Sequence, residues 1–134
     1  YDNSKDKIFA FETVLKMWQL IIYDDKYLFY HCRISEIHTL LALEYGNNKN
    51  KIKTLEHLDS AKNHSILYDS IPEGVHYYTS IFVSSGMHDK NKTSKNYAET
   101  DLEMFVRTLK SQAFDFIRND SDFITFEQSI KNGL

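Results

Sequence analysis

At 134 residues and a formal charge of −3, the chain has room for one domain with a real core and not for two. The slightly acidic balance argues against direct nucleic-acid contact, which draws most of its affinity from phosphates neutralised by a basic surface. No apolar run approaches the roughly 18–20 residues of a membrane span, and the start, Tyr1-Asp2-Asn3-Ser4-Lys5-Asp6-Lys7, lacks a signal-peptide pattern.

One proline and four glycines leave the chain little punctuation, so it should be mostly helical. A first helix is expected from about Lys7 to Tyr23, where Ile8, Phe11, Val14, Leu15, Trp18, Ile21 and Ile22 form one wide apolar stripe. Asp24-Asp25 should cap a second, long helix over about Lys26–Tyr45. Gly46-Asn47-Asn48-Lys49-Asn50 then reverses the chain into a third helix, about Lys51–Leu67, capped by Asn50. Pro72 and Gly74 end the regular part. Between about 70 and 99 an irregular arm is expected, with Val75–Val83 extended because it is rich in β-branched and aromatic residues, and with 84–95 as a polar loop. Helix returns at the capping box Thr100-Asp101-Leu102-Glu103, and Asp120-Ser121-Asp122 opens a last one ended by Gly133.

The second helix has apolar residues on two sides. Tyr27, Tyr30, Ile34, His38, Leu41, Ala42 and Tyr45 share one face; Phe29, Arg33, Glu36, Leu40, Leu43 and Asn47 occupy the other. Such a helix is buried between two layers or lines a groove. The groove reading makes Phe29, Leu40 and Leu43 apolar contacts for a ligand or peptide, oriented by hydrogen bonds to Arg33, Glu36 and Asn47. The competing reading makes Phe29, Leu40 and Leu43 plain core.

Ser35–Ile66 resembles one helical hairpin of the tetratricopeptide (TPR) type, a repeat of about 34 residues. Counting from Ser35, Leu41, Ala42 and Tyr45 fall on the motif's Leu, small and Tyr positions, and Thr54, Leu58 and Ala61 on those of its second helix. His38 stands where the motif has Trp, Lys49 replaces its turn glycine, and its closing proline is displaced to Pro72. From about Ala10 to Ile130 the chain also resembles the C-terminal region of bacterial Xre-type helix-turn-helix transcriptional regulators. That resemblance is carried by Glu36–Leu43, Leu55-Glu56-His57-Leu58 with Ala61, Tyr78-Thr79-Ser80, Lys92–Tyr97 and Phe114–Phe123. It implies an all-α, TPR-like domain of stacked helical hairpins, a superhelix with one extended arm spanning 1–134. Such a module would be a cytoplasmic regulatory part without the DNA-binding half. Its partner would be a peptide, a protein or its own subunit in a homodimer.

No catalytic or cofactor-binding constellation is apparent. His31 and His38 are seven apart on one helix, and His57 and His64 on another; two turns, about 10 Å, are too far for one Zn²⁺. They are therefore expected to be satisfied or solvated, with no metal site. Cys32 and His31 are adjacent on a helix and diverge by about 100°, so they are no nucleophile–base pair. A lone cysteine fits a reducing compartment. Phosphate-binding glycine loops are absent.

Overall fold

The computed structural model describes residues 3–94 and 99–132, so Lys95-Asn96-Tyr97 and the expected stop at Gly133 lie outside the described residues. The fold is all-α, built from packed helical hairpins, with one small two-stranded sheet.

Helix α1 (Ser4–Ile21) starts earlier than the apolar stripe alone implies. Asn3 supplies the reason: its side-chain oxygen accepts the Asp6 N–H at 2.8 Å. Its inner stripe, with Leu15 at the centre, packs on α2 together with Phe11 and Trp18.

Helix α2 (Tyr30–Asn47) begins four residues later than Asp24-Asp25 suggests, and no side chain caps it. The Asp24 carboxylate instead accepts the Thr79 hydroxyl from the distant arm. The chain turns a corner here through left-handed backbone at Asp25 and Leu28, φ 62° and 47°. That corner buries Tyr27 and Leu28 between α1 and α2, and this packing outweighs the local helical preference.

Helix α3 (Lys51–Asp69) is capped by Asn50, which accepts the Lys53 N–H at 3.1 Å. Thr54, Leu58, Ala61, Ser65 and Tyr68 recur at helical spacing and are all buried, most of them against α2. In the α2–α3 turn Lys49 takes φ 56°, the left-handed position where a glycine is usual.

The expected extended arm Val75–Val83 is corrected. Only β1 (Val75–Tyr77) is strand, antiparallel to β2 (Met87–Asp89), with Val75 opposite Asp89 and Tyr77 opposite Met87. Between them the chain folds back on itself because Tyr78 and Ser80 are pulled into the core. The Tyr78 ring lies 5.6 Å from that of Tyr30, and the Ser80 hydroxyl donates to the Ile21 carbonyl. Gly86 permits the reversal: a Cβ there would meet the Val83 carbonyl at 3.1 Å and the Tyr78 ring at 3.2 Å. The segment expected as a polar loop carries β2 and a short helix, α4 (Lys90–Ser94).

Helix α5 (Asp101–Thr108) has Thr100 as its cap, accepting the Glu103 N–H. A 3₁₀ segment, Gln112–Ile117, and α6 (Ser121–Lys131) complete the chain. Arg118 ties this end together, donating to the carbonyls of Leu109 and Ser111 at 3.0 Å each.

Two cores result. One lies between α1, α2 and the turn before Tyr30; the other gathers α5, α6 and the 3₁₀ segment around Phe114 and Phe123. Helix α2 stands between them, giving Leu41 to the first and Ala42 to the second.

Candidate functional site

On the side of α2 that faces α5 the packing leaves a cavity of about 430 Å³. Phe29, Cys32, Arg33, Ser35, Glu36, Thr39, Leu40 and Leu43 line it along α2 and the residue before it. Helix α3 adds Ser65 and Tyr68, and α5 adds Asp101, Met104, Phe105 and Thr108. Five of the six residues expected to form a groove are thus brought together. The sixth, Asn47, is exposed and lies outside the cavity, although it is one turn beyond Leu43. The reason is Gly46: the 3₁₀ segment crowds onto it so closely that a Cβ would sit 2.6 Å from the Ala113 carbonyl oxygen. This contact closes the groove before Asn47.

The plain-core reading is not wholly displaced, because Leu43 also packs against the second core and the Phe29 ring meets Tyr68 and His88 at 6.3 and 5.5 Å. Each of these side chains has one flank on the core and the other on the cavity.

At the mouth Arg33 pairs with Glu36 at 3.3 Å, and its guanidinium lies 5.6 Å from the centre of the Phe29 ring. Burial pushes the Cys32 thiol up to about 11, so it stays protonated near neutral pH and is a poor nucleophile. Deeper, the Ser35 hydroxyl donates to the Ala61 carbonyl at 2.9 Å and lies 2.7 Å from the Ser65 hydroxyl. Asp101 joins these hydroxyls in the lining of the cavity. Burial raises Asp101 to about 6, against the opposing pull of Ser65, and the neighbouring Asp69 adds to the rise.

Asp69 itself is committed to the start of α5. Its two carboxylate oxygens accept the N–H groups of Asp101 and Leu102 at 2.9 Å each. Behind it Lys90 is buried, donating to the Tyr68 carbonyl and lying 4.1 Å from the centre of the Tyr68 ring. Sequence reasoning missed Asp101, Ser65 and Tyr68 as cavity residues, since only the docking of α5 onto the α2–α3 hairpin aligns them.

A second constellation was also missed. His31 meets His64 and His38 meets His57, each with 2.9 Å between Nδ1 atoms, while the His38 and His64 rings stack at 5.7 Å. The signal was present. The two seven-residue pairs are symmetric about the turn at 47–48, so an antiparallel hairpin must set 31 against 64 and 38 against 57. Each Nδ1 contact needs one imidazole to donate and its partner to accept, so no pair can hold two protonated rings. Burial first, then the neighbouring imidazoles, hold His31 and His38 down at about 4. Among the described residues no group of three or more His, Cys, Asp or Glu is arranged to hold a metal ion, and no helix is long and apolar enough to cross a membrane.

Comparison with known proteins returns no matching family model, no similar curated protein and no similar solved structure.

Proposed function

We propose that this domain is a binding module: it holds a small apolar ligand or the anchoring side chain of a peptide in the α2–α5 cavity. In keeping with the resemblance to Xre-type regulators, occupancy would be passed to a DNA-binding domain elsewhere in a cytoplasmic, TPR-like regulator. The observation that supports this most is the convergence of Phe29, Leu40 and Leu43 with Met104 and Phe105 around about 430 Å³, within the usual size range of ligand pockets. Catalysis has less support, because the polar groups at the cavity are two carboxyls, an arginine already paired with one of them, a protonated thiol and hydroxyls, with no nucleophile–base pair among them.

A screen of apolar fragments, read by amide shifts in NMR spectra, tests the reading. Shifts should cluster on α2 and α5, and Leu43→Asp should abolish them while the spectrum stays folded. Unfolding of that variant would assign Leu43 to the core. Binding confined to other surfaces would remove the pocket from consideration. For the regulatory role, a helix-turn-helix encoded upstream in the same reading frame is the expected finding, and its absence would count against that role.

Homodimerisation is the second reading, favoured by a different feature. Phe9 and Leu20 on α1 are 71% and 72% exposed, and Ile81 and Phe82 on the neighbouring arm are 72% and 66% exposed. The arm meets the end of α1 where the Tyr23 and Phe82 rings lie 6.4 Å apart, and exposed apolar side chains that cluster mark interaction sites. Light scattering should find a dimer that Leu20→Asp dissociates; a monomer at all concentrations would end this reading.

A further inference from the structure

We infer that two copies of this chain associate through the outer face of α1, their helices lying antiparallel across a two-fold axis beside residues 14–15. This rests on the dimer reading above and specifies its interface.

The inner stripe of α1 is taken up by α2, yet the helix carries a second stripe on its outer side. Lys5, Phe9, Thr13, Lys16 and Leu20 follow one another at helical spacing, so they share a face, and all five are exposed. Met17 and Tyr23, 53% and 54% exposed, widen the apolar part of that face. A helix with apolar residues on two sides is suited to a layer on each, and α2 supplies only one of them.

The order of residues within the outer stripe points to a second copy as the other layer. A two-fold axis across a helix sets the sequence read forwards against the same sequence read backwards. With the axis beside residues 14–15, Phe9 meets the partner's Leu20, and Leu20 meets the partner's Phe9. Lys5 meets the partner's Asp24, which is exposed just beyond the helix end. Near the axis, Lys16 comes to lie beside the partner's Glu12 and the partner's Thr13. Apolar therefore faces apolar and each lysine faces a carboxylate, twice over. An unrelated protein would require no such reversal symmetry.

The polar groups near the axis are already arranged for burial. The Thr13 hydroxyl donates to the Phe9 carbonyl at 2.8 Å, so it brings no unpaired donor to the interface. Glu12 accepts the Tyr45 hydroxyl through Oε1 at 2.8 Å, which fixes its carboxylate for the partner's Lys16. The arm lengthens the surface, because Thr79 and Ser80 tie it to Asp24 and to the end of α1. Ile81 and Phe82 thus stand where an antiparallel α1 begins, next to the partner's Phe9. One pair of 18-residue helices with two arms is at the small end of specific interfaces, so the dimer should dissociate at micromolar concentration.

Sedimentation over a concentration series should find a reversible dimer. Phe9→Asp and Leu20→Lys should each weaken it about tenfold or more when measured alone, since each sets a charge against an apolar side chain. Mixing the two variants should restore pairing. The new carboxylate of one copy then faces the new ammonium of the other, and the second Phe9–Leu20 contact is intact. Both positions are largely exposed, so circular dichroism should show both variants folded. Lys16→Glu, a milder surface change, should weaken the dimer several-fold at low salt and little at high salt, because it faces the partner's Glu12. A dimer that none of these variants weakens would overturn this interface and leave the dimer reading in place. A dimer weakened by Phe9→Asp and Leu20→Lys but not restored by mixing them would overturn the antiparallel pairing. A monomer at every concentration would overturn both.

Discussion

Helix α2 treats polar groups differently on its two flanks. Toward α3 it closes completely: four imidazoles hydrogen-bond across the seam in two pairs, and Ser35 reaches the Ala61 carbonyl. Toward α5 it leaves space, with the Asp101 carboxyl among the residues that line it. The seam is sealed because α2 and α3 run antiparallel through a short turn and remain in register over their whole length. Helix α5 spans only eight residues and touches α2 far less than α3 does, so it covers only part of that flank. A sealed polar seam supports the fold, whereas the open, mainly apolar cavity is where the proposed guest would sit.

Leu40 and Leu41 test this contrast at adjacent positions. Leu41 is fully buried beside α1, and Leu41→Ala should cost about 2–5 kcal/mol. Leu40 lines the cavity and is half-buried, so Leu40→Ala should cost less than about 1 kcal/mol while weakening apolar ligands. Urea denaturation measures both, and equal costs would mean that the two flanks are not different in kind.

Gly46 is where the cavity ends. Gly46→Ala should destabilise by about 1–3 kcal/mol, since the new Cβ would press on backbone at Ala113 that cannot rotate away. It should also displace the 3₁₀ segment, visible as amide shifts over 112–117.

The two flanks respond to acid with opposite signs. The imidazoles titrate below their usual range, so the stability they confer is complete above about pH 6.5 and is lost as pH falls toward about 4. The charges that bear on the ladder come from three further directions: Glu12 on α1, Asp25 in the turn before α2, and Lys53 and Glu56 on α3. Asp101 is shifted upward, so its neutral form suits the fold. Its cost is present above about 6 and is relieved as pH falls toward its ordinary value of 3.8. Asp101→Asn should therefore stabilise the protein at pH 7 by up to about 1–2 kcal/mol, after allowance for solvent screening. It should also steepen the loss of stability between about pH 6 and 4, because the compensating relief is gone. Thermal melts across that range would show it, and parallel curves for the two proteins would refute the opposition.

The smallest effect is expected at the hairpin's own turn. Lys49→Gly removes the steric cost of a left-handed residue at some entropic expense, for a net gain of at most about 1 kcal/mol. Both flanks should gain equally, because the turn aligns α2 and α3 without touching the cavity.

Much of the fold was legible. Asn50, Thr100 and Asp120 mark their helix starts by side-chain chemistry that acts within three residues. Thr54, Leu58 and Ala61 declared a buried stripe, and all three are fully buried. Asp24-Asp25 misled because the same carboxylate serves a cap or a distant hydroxyl equally well, and Thr79 took it. Val75–Val83 misled because β-branched and aromatic residues suit a strand or a core, and Tyr78 went to the core. Of the proposed site, Phe29, Arg33, Glu36, Leu40 and Leu43 followed from helical spacing. Asp101 and Ser65 did not, being about 60 and 30 residues away from α2 along the chain.

The sequence by itself determined that α2 has two apolar flanks and that α3 folds back along one of them, because periodicity, caps and turn residues act over a few positions. Tertiary structure alone decided which flank closes, that four histidines meet, and that Asp101 joins the lining of a cavity. Those outcomes depend on how closely helices distant in sequence approach one another, and that distance is set by the volume and polarity of side chains packing from both sides.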